Sequence, residues 1–290
     1  MPELPEVFTT IEDLKKHGLE GSQITSVDVQ WPRTVGGNDE AFAQAVTDRC
    51  ISRLRRRGKY IVLDLDSGAA VLVHLRMSGR LYVSEPTEPY TGYERVRLGL
   101  LRNDGTAAEL RFHVPRKFGR MTFAPDPERA LSHLGIEPLS PQFHYETLAA
   151  ILAGRTRRIK PLLLDQRCIA GLGNIYTDEA LWEARIHPMS PAGALGRAHV
   201  EALAAAIPQT LNRGIRNLGT SLGSGVSNFV FPGKEGQAHN QEDLRVFQRT
   251  GSPCRRCGAT IERIIVAQRS SHFCPVCQRM NGSPTPPSVQ

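Results

Sequence analysis

The opening Met1-Pro2-Glu3 and four cysteines near the other end are the two places where residue type and spacing promise chemistry. A small residue at position two permits removal of the initiator Met, which leaves Pro2 with a secondary amine. An α-amine titrates near 8 and a lysine near 10.4, so at pH 7 roughly a tenth of the former and less than a thousandth of the latter is free base. Such an amine is a nucleophile. On a sugar C1′ it gives an iminium ion, an electron sink through which a neighbouring C–O bond breaks by elimination. Glu3 stands beside it as a proton acceptor or donor, and the positive end of a helix starting at Pro5 disfavours the ammonium further. Taken alone, the segment reads better as an ordinary terminus that happens to begin with Pro.

Cys254-x2-Cys257, sixteen residues, then Cys274-x2-Cys277 is the spacing of two knuckles that close a tetrahedral thiolate site around one zinc ion. Four thiolates leave no open coordination position, so the metal is expected to be structural, holding a hairpin too small for a core of its own. Cys50 and Cys168 stand apart. Around the cysteines lie arginines 245, 249, 255, 256, 263, 269 and 279 against one acid, Glu262. That excess survives the roughly two negative charges of a four-thiolate zinc centre and points to phosphate contact. Arg53, Arg55, Arg56, Arg57 and Lys59 form a second basic run, and Arg155, Arg157, Arg158 and Lys160 a third.

The elements that must position these groups follow from periodicity. The 290 residues carry 40% hydrophobic and 22% charged side chains, enough for a buried core and two domains, which excludes a disordered chain or a disulfide scaffold. The formal charge of +7 fits a polyanionic partner. No apolar run approaches the roughly 20 residues that span a bilayer and the N-terminus lacks signal-peptide layout, so a cytoplasmic chain is expected. Residues 5–18 read as a short amphipathic helix. Strand-like runs follow at 24–31, 60–65, 71–75, 81–83, 96–101, 107–112 and 120–123, which predict a β-sandwich or barrel. Prolines 125, 127, 138 and 141 mark the domain link. Helices are predicted over 146–153, 174–184 and 193–212, the last with Leu195, Val200, Leu203, Ile207 and Leu211 on one face and bent at Pro208. Gly171 and Gly173 allow a tight turn before Asn174, a good N-cap whose helix start suits phosphate. Residues 219–241, rich in Gly, Ser and Asn, read as a long loop, and 282–290 as a floppy tail.

Joined in order, PELPEV at 2–7, RGKY at 57–60, HLRMSG at 74–79, RKFG at 116–119, the 165–182 segment with its AGLGNIYTDEALW and the terminal four-cysteine finger closely resemble the formamidopyrimidine-DNA glycosylase family. That family excises oxidised purines such as 8-oxoguanine and then cuts the abasic strand. The likeness runs from residue 2 to about 278, and Leu4 rather than Gly sets it apart from the related endonuclease VIII branch. It implies an α+β chain: a catalytic β-sandwich domain with a leading helix (1–135), a helical helix–two-turn–helix domain (136–250), a zinc finger (251–280) and a disordered tail (281–290).

The resemblance also implies roles. Pro2 becomes the Schiff-base nucleophile, Glu3 the general acid/base at the sugar, Glu6 a supporting carboxylate and Lys59 a group near the lesion and its phosphate. Met77, Arg116 and Phe118 become the wedge that fills the gap left by the extruded base, although by themselves Met77 and Phe118 read as core residues. His74, Asn174 and Arg269 become phosphate contacts, and Lys160 a further DNA-serving group. The implied partner is duplex DNA with oxidised bases, in the cytoplasm and on the nucleoid; no unexplained apolar stripe remains once both domains are assigned, so a monomer without a membrane is expected. Phe8 and Val114 depart from the family pattern, and Val114 in place of an Asp cannot orient the wedge arginine by a charge-assisted hydrogen bond. Gly223-Ser224 stands where a basic–acidic pair is common, in the loop that in the family covers the flipped base. A non-catalytic zinc protein that binds damaged DNA, and a glycosylase for oxidised pyrimidines, are the alternatives the sequence leaves open.

Overall fold

The structure, a computed structural model, describes residues 1–220 and 240–280, which form two compact units. One comprises Met1–His133 with the described part of Gly214–Gln241. The other comprises Leu134–Arg213 with the described part of Glu242–Gln290. The first thus takes up residues beyond the 1–135 module expected from sequence, and the finger clusters with the helical segment.

In the first unit helix α1 (Leu4–Lys16) buries Leu4, Val7, Ile11 and Leu14 on one face. Its start differs from expectation: Glu3 is the N-cap and Pro5 the second helical residue. Glu is an unusual cap, but here it forms a reciprocal capping box with Glu6, which satisfies two N-terminal donors and sets both carboxylates at the positive end of the helix. The chain continues through β1 (Gln23–Val29), a 3-10 turn (Pro32–Val35), α2 (Asp39–Val46), β2 (Ile51–Arg57), β3 (Tyr60–Leu65), β4 (Ala70–His74), β5 (Arg80–Ser84), β6 (Glu94–Leu101), β7 (Ala107–His113), β8 (Arg120–Ala124) and α3 (Pro127–Leu131). The strands make two four-stranded antiparallel sheets, ordered β1-β6-β7-β5 and β2-β3-β4-β8. Strand β6 alternates buried and half-exposed residues, as a sheet with one covered face requires, and Val96, Leu98 and Leu100 join Ile61, Leu63, Val71 and Val73 of the other sheet in one core.

Strand β2 is absent from the sequence reading because its arginines masked it. Leu54 points into the core, whereas Arg55 lies 2.7 Å from Asp64 and 3.0 Å from Glu128, so this basic run is partly internal pairing.

The second unit holds α4 (Tyr145–Leu152), α5 (Ile159–Leu163), α6 (Asn174–Glu183), most of α7 (Arg197–Arg216), α8 (Asn240–Asp243 in part) and the antiparallel hairpin β9 (Glu262–Val266) and β10 (Arg269–Phe273). Helix α7 starts four residues later than predicted, because Ala192–Ala194 forms a 3-10 turn and Leu195 is extended. Val200, Leu203, Ile207 and Leu211 are its buried face. Most of the expected 219–241 loop, Gly223-Ser224 included, and the 281–290 tail lie outside the described residues. Among the described residues no helix is long and apolar enough to cross a membrane.

Candidate active site and nucleic-acid interface

The N-terminal amine of the first unit sits in a charged, water-poor cluster. Burial holds the Met1 amine below its ordinary value of 8.0, against the pull of the Glu3 and Glu6 carboxylates and with the push of Lys59 and Arg116. Pro2, Glu3 and Glu6 are all buried. Glu6 accepts the Glu3 N–H at 2.8 Å through Oε2 and the Thr220 N–H at 2.8 Å through Oε1. With both oxygens held by backbone donors, Glu6 fixes the chain start. Lys59 arrives from the two-residue turn between β2 and β3, where Gly58 takes φ 55°. Glycine at the first position of such a turn matches the twist of the strands and delivers Lys59, 6% exposed, toward the amine.

Two turns of the same unit carry the expected wedge. Met77, between β4 and β5, and Phe118, between β7 and β8, are 44% and 56% exposed, unusual for large apolar side chains. Each follows a non-glycine residue in the left-handed region, Arg76 at φ 57° and Lys117 at φ 58°. Such backbone is costly and persists where surrounding contacts over-determine it. The His74 Nδ1 accepts the Arg76 N–H at 3.0 Å, and its ring meets Tyr60 edge-on at 4.9 Å. Burial, helped by Arg76 and Lys59, pushes the His74 imidazole down to about 3. The ring is therefore neutral, with its proton on Nε2. The Arg116 Nε donates to Ser78 Oγ at 3.1 Å, tying the two turns together. Ser78 thus supplies the orientation that Val114 cannot; Val114 itself is core. Ser78 was missed because a lone serine in a turn carries no sequence signal.

In the second unit, Gly171 at φ 93° and extended Gly173 make the predicted tight turn, braced by Gln166, which accepts the Gly171 N–H at 2.9 Å and donates to Leu172 O at 2.8 Å. Gly173 is the N-cap of α6, so Asn174 is its first helical residue rather than its cap. Helix α6 is buried on nearly all sides, and two adjacent acids on it hold the finger region. Asp178 accepts the His272 backbone N–H at 2.9 Å and faces His272 Nδ1 at 3.1 Å. Glu179 receives the N–H groups of Arg245, Val246 and Phe247 at 2.9–3.0 Å, although burial still pushes its carboxyl above the ordinary value. The available signal was two consecutive acids among Ile175, Tyr176, Ala180, Leu181 and Trp182.

Lys160 requires a correction. It is 0% exposed, and its Nζ lies 2.6 Å from both Asp178 Oδ1 and Ser270 O. It is an internal strut between α5, α6 and β10 and does not present its charge to DNA. Removing one partner of a buried ion pair strands the other charge. Lys160→Met is therefore expected to lower unfolding free energy by about 3–5 kcal/mol in denaturant titration, with Asp178→Asn in the same chain restoring part of the loss.

Of the arginines singled out near the cysteines, several are bonded to neighbouring groups of the protein itself. Arg256 donates to Trp182 O at 3.0 Å and stacks over the Trp182 ring at 3.9 Å, and Arg263 bonds Ser270. Arg269, just past the two-residue tip of the β9–β10 hairpin, is exposed, and its guanidinium has no acceptor among the described residues. The four Sγ atoms of Cys254, Cys257, Cys274 and Cys277 lie within 4.8 Å of one another. A zinc tetrahedron with bonds of about 2.3 Å has sulfur–sulfur edges of about 3.8 Å. The cysteine pairs at 4.0 and 3.4 Å bracket that edge, and the N–H groups of Arg256 and Cys277 point at Cys254 and Cys274 sulfurs, as knuckles do. The residues fit one structural zinc.

Comparison with known proteins agrees with this geometry. Residues 1–121 match the family described as formamidopyrimidine-DNA glycosylase N-terminal domain, 134–224 its H2TH domain, and 251–279 the zinc finger found in FPG and IleRS. The chain is 43% identical over 281 residues to the formamidopyrimidine-DNA glycosylase of Protochlamydia amoebophila, covering 96% of this chain and 100% of the relative. It is 42% identical to that of Herpetosiphon aurantiacus over the same shares. The Lactococcus lactis Fpg, solved in complex with abasic-site DNA, superposes with a TM-score of 0.85 at 32% identity, covering 96% of this chain and 99% of that one. The same protein solved with Fapy-dG DNA gives 0.84 at 32% identity, over 96% and 100%.

Proposed function

The chain belongs to the formamidopyrimidine-DNA glycosylase family, and from that premise we propose that it is a base-excision-repair glycosylase and abasic-site lyase acting on oxidised purines in duplex DNA. The observation that carries the reading is the chain start itself, where Pro2 is buried and Glu3, Glu6, Lys59 and Arg116 all act on the neighbouring Met1 amine. Once Met1 is removed, the Pro2 nitrogen lone pair bonds C1′ of the extruded nucleotide as the bond to the damaged base breaks and the base leaves with a proton. Glu3 gives a proton to the ring oxygen, the sugar opens, and the C1′–N bond becomes an iminium. Loss of a 2′ proton then expels the 3′ phosphate, and δ-elimination expels the 5′ phosphate. Met77, Arg116 and Phe118 fill the vacated stack; neutral His74 offers Nε2–H to a phosphate; Asn174 and Arg269 hold the backbone. The protein acts as a monomer wherever the cell keeps its DNA.

Ser78 orients Arg116 where Val114 cannot, which supports the catalytic reading over a non-catalytic damaged-DNA binder. Excision of formamidopyrimidine and 8-oxoguanine from duplex, against thymine glycol, tests the reading; a preference for thymine glycol refutes the purine assignment. The pH profile carries a second expectation. The attacking amine must be free base, and Pro2 is buried, which disfavours the charged form. Single-turnover lyase rate should therefore rise with pH through a midpoint below 8, and a midpoint above 8 would contradict a buried amine nucleophile.

A further inference from the structure

The turn that bears Phe118 is held from below by groups that no step above uses. Lys117 N–H closes a β-turn on Val114 O at 3.1 Å, with Pro115 inside it. The Arg120 guanidinium donates to the carbonyls of Lys117, Phe118 and Gly119 at 3.3, 3.2 and 2.9 Å. Gly119 admits no side chain, since a Cβ there would stand 2.7 Å from Phe112 and 3.0 Å from Val114. At the crest, the Lys117 ammonium lies 3.9 Å from the centroid of the Trp31 ring. Trp31 comes from a distant element, capping the 3-10 turn at Pro32–Val35.

We propose that Trp31 is a positioning residue for the wedge, a reading that rests on Phe118 filling the DNA gap. A cation held against an indole face is an attraction along one direction, and here it pulls the side chain of a residue whose own backbone is left-handed. That pull fixes the sense of the turn, so that residue 118 points away from the protein before DNA arrives. An ordered wedge loses less conformational freedom on insertion than a mobile one, and the difference appears in the rate at which the extruded state is captured. Arg120 secures the carbonyl side of the same turn. Trp31 itself need touch neither lesion nor phosphate.

The test compares two substrates. Filling a gap matters only where an opposite strand stacks, so a duplex with 8-oxoguanine opposite cytosine reads the wedge, whereas an abasic site in a single strand reads the amine chemistry alone. Trp31→Leu should slow single-turnover excision on the duplex by about five- to tenfold. Single-strand cleavage and the salt slope of duplex binding should stay at wild-type values. Trp31→Phe, which keeps an aromatic face, should recover most of the duplex rate, and Lys117→Met should add no further loss to Trp31→Leu. An unchanged duplex rate in Trp31→Leu, an equal fall on both substrates, or a Trp31→Phe no better than Leu overturns the inference. Phe118→Ala separates it from its premise. A full duplex rate in Phe118→Ala removes the wedge reading and this inference with it. A slow Phe118→Ala beside a wild-type Trp31→Leu removes this inference alone.

Discussion

A chain that retains an acetylated Met1 will form no borohydride-stable adduct with lesion-bearing duplex, whereas the same chain with Met1 removed will be trapped on it. The reason is covalent. While Met1 is attached, the Pro2 nitrogen is a tertiary amide whose lone pair is delocalised into the carbonyl, and it cannot bond C1′. Removal of one residue converts it to a secondary amine beside Glu3 at a buried position, and burial disfavours a charged nitrogen. The contrast should be all or none for the trapped species on a denaturing gel, with mass spectrometry establishing the N-terminus of each sample. Excision should fall at least about a hundredfold in the blocked chain, on the scale of losing a group that acts in the transition state. Trapping of the acetylated chain at the rate of the trimmed one would move the nucleophile elsewhere, and Lys59 would be the first place to look.

Stripping the metal should have the next largest effect. Structural zinc sites in small fingers contribute about 10–16 kcal/mol of apparent binding energy, and without the ion four thiolates crowd together with nothing to bind them. After chelation, or in Cys277→Ala, the β9 and β10 amides should lose protection from hydrogen exchange. Duplex affinity should drop at least about tenfold at physiological salt, and the salt slope should shrink by about one as the Arg269 contact goes. The first unit holds its N-terminal amine through its own contacts, so an abasic single strand at high concentration should still be trapped. Full duplex affinity in the zinc-free protein would show that the finger arginines do not touch phosphate.

Much of the fold was legible because its signals are local. Strand β3 follows from a run of alternating and apolar residues, α1 from spacings of three and four, and the finger from its cysteine spacing alone. Strand β2 was not, since its core side chains are outnumbered by arginines that pair with Asp64 and Glu128 from other elements. The start of α1 shifted because Glu3 caps it through Glu6, a partner that also makes both residues functional candidates. At the site, the types of residue were visible and their environments were not. Basic character suggested Lys160 as a DNA contact, yet its partners lie 18 and 110 positions away, beyond any local pattern. Exposure of Met77 and Phe118 is likewise a tertiary property, as is the Ser78 bond that compensates for Val114.

The pairing of Asp178 with His272 spans 94 residues, and that separation bears on how the chain is made. Translation at about 5–20 residues per second exposes the Asp178 carboxylate seconds before the hairpin that donates to it leaves the ribosome. Until then a helix meant to be enveloped carries two acids with part of their complement missing, and closing so long a loop is a late event in folding. The supply of zinc therefore sets when this half of the molecule can finish maturing: without the metal, chains would accumulate that are fully synthesised yet open at α6 and exposed to proteases.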